Sequence, residues 1–132
     1  MNQRQQIAKW IVAAALYLFW PAVLLVSWGE LTPRPPSWTA YFWDKSLHFI
    51  AYFGLAAMVT LVIRNRPKLF WALFGLAVFG GALEILQGFT GRDPDLHDEI
   101  ANGLGVLSGY LIARAFSVAI AAGSLVGEDR RR

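Results

Sequence analysis

Long apolar stretches alternate with short polar stretches along this chain. Four apolar segments lie at about residues 10–28, 47–63, 69–88 and 100–122. Each approaches the roughly 20 residues that a helix needs to cross the hydrocarbon core of a bilayer. The pattern predicts an all-α fold, a membrane bundle of four transmembrane helices in a single domain over residues 1–132, with the fourth helix beginning near residue 98.

Composition supports a membrane protein. Hydrophobic residues make up 56% of the 132 residues and charged residues 16%, which is too apolar for an ordinary soluble domain. The absence of cysteine excludes a disulfide framework, a thiolate nucleophile and a cysteine-based zinc site. The net charge is +3, but the basic residues are scattered between apolar runs, so nucleic-acid binding is not expected.

The first apolar segment follows Arg4 and Lys9, as a signal peptide would. It is longer than a typical signal-peptide core, and residues 27–32 contain no A-x-A-like cleavage site. We therefore expect an uncleaved helix, with a kink at Pro21, whose ring removes a backbone donor.

Basic residues indicate the orientation, because Lys and Arg favour the cytoplasmic side of a membrane. They precede the first helix, separate the second from the third, and end the chain: Arg4, Lys9, Arg64, Arg66, Lys68, Arg130, Arg131 and Arg132. The sequence thus predicts a multi-pass protein with both termini in the cytoplasm and its more acidic connections facing outward.

One face of the second helix carries polar groups. Asp44, His48 and Tyr52 recur at intervals of four, and Lys45 lies beside them. Asp44 and Lys45 also fit ordinary flanking of a helix end, where an acid suits the helix dipole. His48 lies inside an apolar run and needs partners there, as either a structural or a catalytic histidine.

The third helix carries Glu84 and Gln87 near its outer end. A carboxylate at that depth should face the bundle interior or a wet cavity. The alternative interpretation is a polar residue that pairs with a neighbouring helix and holds the bundle together.

The start of the fourth helix repeats the pattern, with Asp95, Asp98 and Asn102 at intervals of three and four. Pro94 suits the beginning of that helix, and Asp93 is a natural cap before it. Capping or solvation is the favoured interpretation of three nearby polar residues: Asp93, His97 and Glu99. The G-x-x-x-G pair Gly105 and Gly109 indicates close helix packing.

Alternating helices bring these polar groups to one outer side, so we predict a shared polar pocket. The candidate catalytic residues are His48, Glu84 and Asp98, and the candidate ligand-binding residues are Asp44, Lys45, Tyr52, Gln87, Arg92, Asp95 and Asn102. His48, Glu84, Asp98 and His97 include suitable metal-ligand types but have no diagnostic spacing. No metal site is assigned on this basis, and the sequence identifies no cofactor.

Three motifs together resemble the VanZ-like family of small bacterial multi-pass membrane proteins. They are D-K-S-L-H-F-I-A-Y-F at 44–53, E-I-L-Q at 84–87 and R-D-P-D-L-H-D-E-I-A-N-G-L-G at 92–105. The resemblance covers residues 44–109. It implies a place in the bacterial cytoplasmic membrane and, since the family is named for a protein linked to teicoplanin resistance, a family-level connection with antibiotic resistance and glycopeptide susceptibility.

Three classes of function fit these observations, and whether a reaction is catalysed stays open. The leading hypothesis is a site for a polar headgroup or lipid-linked envelope component, held by Arg92 and Lys45 and processed by acid–base groups. A hydrolase or transferase would be its enzymatic form, although no G-x-S-x-G or H-E-x-x-H motif occurs.

The main alternative is a non-catalytic assembly or stability subunit, in a homo-oligomer or a larger membrane complex, whose polar residues serve helix packing. A proton-coupled transporter is less favoured, because no inverted repeat or broken-helix pair is apparent. Membrane lipids are expected partners under every interpretation.

Overall fold

The chain forms helices throughout the part that the structure, a computed structural model, describes. That part is residues 3–33, 44–91 and 94–129, with side chains left undescribed at residues 4 and 123–129. Within it are four α-helices and no strand: α1 (Gln3–Leu31), α2 (Asp44–Val62), α3 (Arg66–Thr90) and α4 (Leu96–Asp129). Each helix contains a span long and apolar enough to cross a membrane, which confirms the predicted fold class.

Local signals define both ends of α3. Asn65 precedes the helix and accepts a hydrogen bond from the Lys68 backbone N–H at 3.0 Å, while Pro67 occupies the first turn. The helix ends at Gly91, whose φ of 84° is left-handed and whose N–H donates to the Gln87 carbonyl. Glycine adopts this conformation without steric cost.

The cap of α4 is Asp95. Its carboxylate accepts a hydrogen bond from the His97 backbone N–H at 2.9 Å, and its carbonyl accepts from the Asp98 N–H at 2.9 Å. Asp93 was the expected cap, but it lies outside the described residues. The helix begins at Leu96 because the Asp95 side chain satisfies a donor of the first turn.

Helices α2 and α4 form the most extensive interhelical contact of the described bundle. A Cβ atom on Gly105 would lie 2.5 Å from the Phe49 carbonyl oxygen, and one on Gly109 would overlap the Phe53 carbonyl. The two glycines therefore let the helix backbones touch. This confirms the packing role expected of the G-x-x-x-G pair.

The apolar core lies between α2, α3 and α4, and α1 packs against it. Its buried members are Tyr52, Leu55, Ala56, Val59, Leu69, Leu76 and Val106, with partly buried Phe19, Val23 and Val26 of α1 alongside. Large apolar side chains also cover the outside of the bundle, including Trp10, Trp20, Phe70, Trp71 and Ile112. Such an exterior suits contact with lipid.

The two ends of the bundle differ in charge. We call the end that holds Glu30, Asp44, Glu84 and Asp98 the acidic end, and the end that holds Lys9, Arg64, Arg66 and Lys68 the basic end. Helices that alternate in direction place the end of α1, the start of α2, the end of α3 and the start of α4 together at the acidic end.

Candidate functional site

An ion-pair bridge joins the starts of α2 and α4. Lys45 Nζ lies 2.6 Å from Asp95 Oδ2 and 3.0 Å from Asp98 Oδ1. Asp98 is buried, whereas Lys45 and Asp95 are partly exposed. The ammonium therefore compensates a carboxylate that would otherwise be costly to bury. Its positive charge is already matched by two acids.

One turn further along α2, His48 is enclosed by the bundle. His48 Nδ1 lies 3.1 Å from Asn102 Oδ1, and Asn102 Nδ2 donates to Glu99 Oε2 at 3.1 Å. Because the amide nitrogen is engaged with Glu99, the amide oxygen faces the imidazole as an acceptor, which suits the tautomer with its proton on Nδ1. In that tautomer the other ring nitrogen, Nε2, keeps a lone pair.

Two buried carboxylates flank the same imidazole. Glu30 Oε1 lies 3.5 Å and Glu84 Oε1 3.7 Å from His48 Nδ1. Glu84 Oε2 accepts a hydrogen bond from the Asp95 backbone N–H at 3.3 Å. Glu84 thus faces the interior, as its depth in α3 predicted. The arrangement gathers groups from all four helices around His48.

Glu30 is the residue that sequence reasoning missed. The sequence places Glu30 in the outward-facing connection after the first apolar segment, but α1 continues to Leu31 and only 7% of Glu30 is exposed. Gln87 Nε2 donates to the Glu30 carbonyl oxygen at 3.0 Å and fastens α3 to α1. One feature of the sequence could have identified Glu30. It lies two residues beyond the apolar segment that ends at Trp28, at the same end of the bundle as the other acids.

Glu99 lies in the first turn of α4, as expected of an acid near the start of a helix, but it is partly buried and also accepts a hydrogen bond from Asn102. Its carboxylate lies over Gly80 of α3, where an added Cβ would be 2.9 Å from Glu99 Oε2. The first turn of α4 therefore faces α3 at a position without a side chain, which leaves room for the acid.

Tyr52 lies below the other site residues. It is fully enclosed, at 0% exposure, and its ring lies 6.3 Å from that of Phe79 between centroids. Its hydroxyl has no hydrogen-bond partner among the described residues. Full enclosure separates Tyr52 from any ligand that stays at the surface of the acidic end.

The outer residues of the site are more accessible than those deeper in the bundle. His97 is exposed, and its Nδ1 lies 2.7 Å from Asp95 Oδ1. The Lys45 ammonium, followed by the hydrogen bonds from His97, holds the pKa of Asp95 well below its usual range. Among the described residues, acids outnumber bases across the site: Glu30, Asp44, Glu84, Asp95, Asp98 and Glu99 stand against Lys45, His48 and His97.

A family comparison agrees with the motifs and the fold. The VanZ/LLP1 family model matches residues 2–117. The chain belongs to the VanZ/LLP1 family. The match confirms the resemblance and extends it over all four helices. Together with the four apolar helices, it establishes a VanZ-like multi-pass membrane protein. No curated protein and no solved structure matches the chain.

The donor set of this VanZ-like site includes a group that could hold a metal ion. Asp44, His48 and Asp98 each bring a ligand atom, and these atoms lie within 4.8 Å of one another. Imidazole and carboxylate suit several divalent ions. An ion there would compete with Lys45 for Asp98.

The group of ligand types considered from sequence also included Glu84 and His97. In the structure His97 is exposed and contacts Asp95, while the Glu84 carboxylate accepts a hydrogen bond from the Asp95 backbone N–H.

Most of the predicted site residues converge in the VanZ-like bundle. Nine of the ten candidates lie at the acidic end or directly below it: Asp44, Lys45, His48, Tyr52, Glu84, Gln87, Asp95, Asp98 and Asn102. The tenth, Arg92, lies outside the described residues. Axial position along each helix, together with alternation of the helices, brings these residues to a common level.

Proposed function

We propose that this VanZ-like protein binds or processes the polar headgroup of a lipid-linked envelope component at the outer face of the bacterial cytoplasmic membrane. The observation that carries the proposal is the enclosure of His48 by Asn102, Glu30 and Glu84 beneath the Lys45–Asp98 bridge. Ionisable groups gathered at membrane depth are expensive and mark functional sites by default.

The charge balance favours a headgroup rich in hydrogen-bond donors. Carboxylates accept hydrogen bonds from hydroxyl and ammonium groups, and the acids exceed the bases at this end of the described bundle. Lys45 is already paired with Asp95 and Asp98. A sugar or amine-bearing headgroup therefore fits the described residues better than a bare phosphate.

The same residues supply acid–base groups for a processing step. With its proton on Nδ1, His48 offers Nε2 as a base toward a substrate hydroxyl or a water. Asn102 holds the imidazole in that tautomer, and the carboxylates of Glu30 and Glu84 stabilise the imidazolium formed when Nε2 takes a proton. Binding and processing thus use the same group of residues around His48.

Native mass spectrometry of protein released gently from its membrane tests the proposal. We expect a discrete lipid or glycolipid adduct on the native protein, which Glu84→Gln and Asp98→Asn both reduce. Thr60→Val is the matched control, because the Thr60 hydroxyl donates within α2, to the Ala56 carbonyl at 2.7 Å, and Thr60 lies 12 residues beyond His48, about 18 Å along the helix. Retention of the same adduct by both folded acid variants would exclude this function for the site, as would its absence from native protein.

A second candidate, a non-catalytic assembly or stability subunit, is favoured by a specific observation. Three polar contacts join different helices: Gln87 to the Glu30 carbonyl, His48 to Asn102, and Lys45 to Asp98. If the acids serve only such contacts, Glu84→Gln and Asp98→Asn will lower protein abundance or oligomer content without changing any adduct. The mass spectra distinguish the two outcomes.

The proposal extends to glycopeptide susceptibility, which is connected with the family. A protein that handles a lipid-linked envelope component would alter the surface that these antibiotics meet. Deleting the gene should shift the inhibitory concentration of teicoplanin, and His48→Ala should fail to restore it although the variant accumulates in the membrane. An unchanged inhibitory concentration in the deletion strain would limit the function to another envelope component.

A further inference from the structure

A second feature lies at the basic end, opposite the candidate site. Helices α1 and α4 border a cavity of about 670 Å³, which is within the volume range of sites that hold small molecules. Val12 and Leu16 of α1 and Ile120 of α4 form much of an apolar wall, and Lys9 and Arg64 also line the cavity.

The charge of this cavity is of one sign. Lys9 and Arg64 are exposed cations, and none of the described residues that line the cavity is acidic. Among the described residues, neither cation takes part in a salt bridge. This contrasts with Lys45 at the acidic end, whose charge two carboxylates already match.

The charged and apolar residues of this cavity lie at different depths, as the head and the tail of a lipid do. Lys9 lies near the beginning of α1, and Arg64 lies in the connection between α2 and α3. Leu16 is seven residues beyond Lys9, which is about 10 Å deeper along the helix. A ligand that meets all of these residues needs an anionic head and an apolar tail.

We propose that this cavity holds one anionic phospholipid of the surrounding bilayer. Its phosphate lies between the Lys9 ammonium and the Arg64 guanidinium, and one acyl chain follows the wall formed by Val12, Leu16 and Ile120. A guanidinium holds phosphate through two parallel hydrogen bonds, and basic pockets between transmembrane helices select anionic headgroups. The apolar wall supplies the contacts that fix the chain.

This site is independent of the proposed headgroup function. Asp98 and Ser117 lie 19 residues apart on α4, or about 28 Å along the helix. Loss of lipid at the basic end would leave the groups around His48 in place, so the two proposals can fail separately.

The test uses the full chain in neutral detergent, titrated with phosphatidylglycerol or phosphatidylcholine and followed by native mass spectrometry. We expect one phosphatidylglycerol to be retained in preference to phosphatidylcholine. Lys9→Gln and Arg64→Gln should each weaken retention about fivefold. Lys68→Gln is the matched control, because Lys68 is exposed at the same end but does not line the cavity.

A second variant separates a shaped site from general attraction between charges. Ala13→Leu adds apolar bulk to the cavity wall and leaves both cations in place, so it should also reduce phosphatidylglycerol retention. Equal losses for Lys68→Gln and Arg64→Gln, or full retention by Ala13→Leu, would overturn the proposal. Equal retention of both lipids by the native protein would overturn it without any variant.

Discussion

Replacing Gly105 by alanine should force α2 and α4 apart. The added Cβ would lie 2.5 Å from the Phe49 carbonyl oxygen and 3.0 Å from the Phe53 nitrogen. Ordinary contact begins at 3.4 Å, so the oxygen contact alone requires a displacement of about 0.9 Å. Both obstacles are backbone atoms, and no side-chain rotation relieves the overlap.

The same displacement reaches the polar contacts that join these helices. Lys45 Nζ–Asp98 Oδ1 and His48 Nδ1–Asn102 Oδ1 measure 3.0 and 3.1 Å, and about 0.9 Å more would take both beyond hydrogen-bond range. Overpacking costs about 1–3 kcal/mol, and each lost hydrogen bond costs about 1 kcal/mol. Alanine regains about 1 kcal/mol of helix propensity. We therefore expect a net loss of about 2–4 kcal/mol.

Gly103→Ala is the matched control, since it makes the same change in the same helix, where an added Cβ meets nothing within 4 Å. It should leave stability unchanged or raise it by up to about 1 kcal/mol. Denaturant unfolding in detergent micelles, followed by loss of helical circular dichroism, measures both variants. A Gly105→Ala protein as stable as Gly103→Ala would refute the argument that backbone contact sets the helix spacing.

Three further predictions concern the polar network. Asn102→Ala should lower stability by about 1–3 kcal/mol, because it leaves buried polar groups unpaired, whereas Ser117→Ala should have almost no effect in the same unfolding assay. Lys45→Gln should lower the melting temperature, and the double variant Lys45→Gln/Asp98→Asn should recover part of that loss; strictly additive effects would argue against the ion pair. The lowered pKa of Asp95 means that the folded protein favours the charged form of this carboxyl group. Stability from this group is thus present above its ordinary pKa of 3.8 and lost as the pH falls toward the lower folded-state pKa. Asp95→Asn should therefore flatten the acidic limb of a plot of melting temperature against pH, and an unchanged limb would contradict this assignment.

The axial arrangement of the site could be predicted from the sequence because it depends on simple geometry. Each helix rises by a fixed distance per residue, and successive membrane helices alternate in direction. These two facts place His48, Glu84 and Asp98 at one end of the bundle, where the structure has them. The G-x-x-x-G pair also has a local physical meaning, since only small residues permit close backbone contact.

Lateral contacts were harder to predict, because they depend on how each helix is rotated toward its neighbours. Glu30 was missed for a different reason, the length of α1: hydropathy ends the apolar segment at Trp28, but the helix continues to Leu31. Glu99 enters the network only because α3 presents Gly80 opposite it. Neither the helix extension nor the pairing of Glu99 with a glycine on another helix is encoded in residue spacing alone.

The direction of the polar groups bears on the choice between a headgroup site and an assembly subunit. Apolar residues on the outside of a membrane bundle face lipid as readily as a partner, so exposed Trp10 and Trp20 do not favour assembly. Polar contacts to a partner would need polar groups on that exterior. Within the described spans, Glu84, Gln87 and Asn102 instead point inward and contact groups of the same chain. The acidic cluster therefore lies inside this chain, where it can bind a ligand or join the helices, and the adducts and abundance of the Glu84→Gln and Asp98→Asn variants distinguish these two roles.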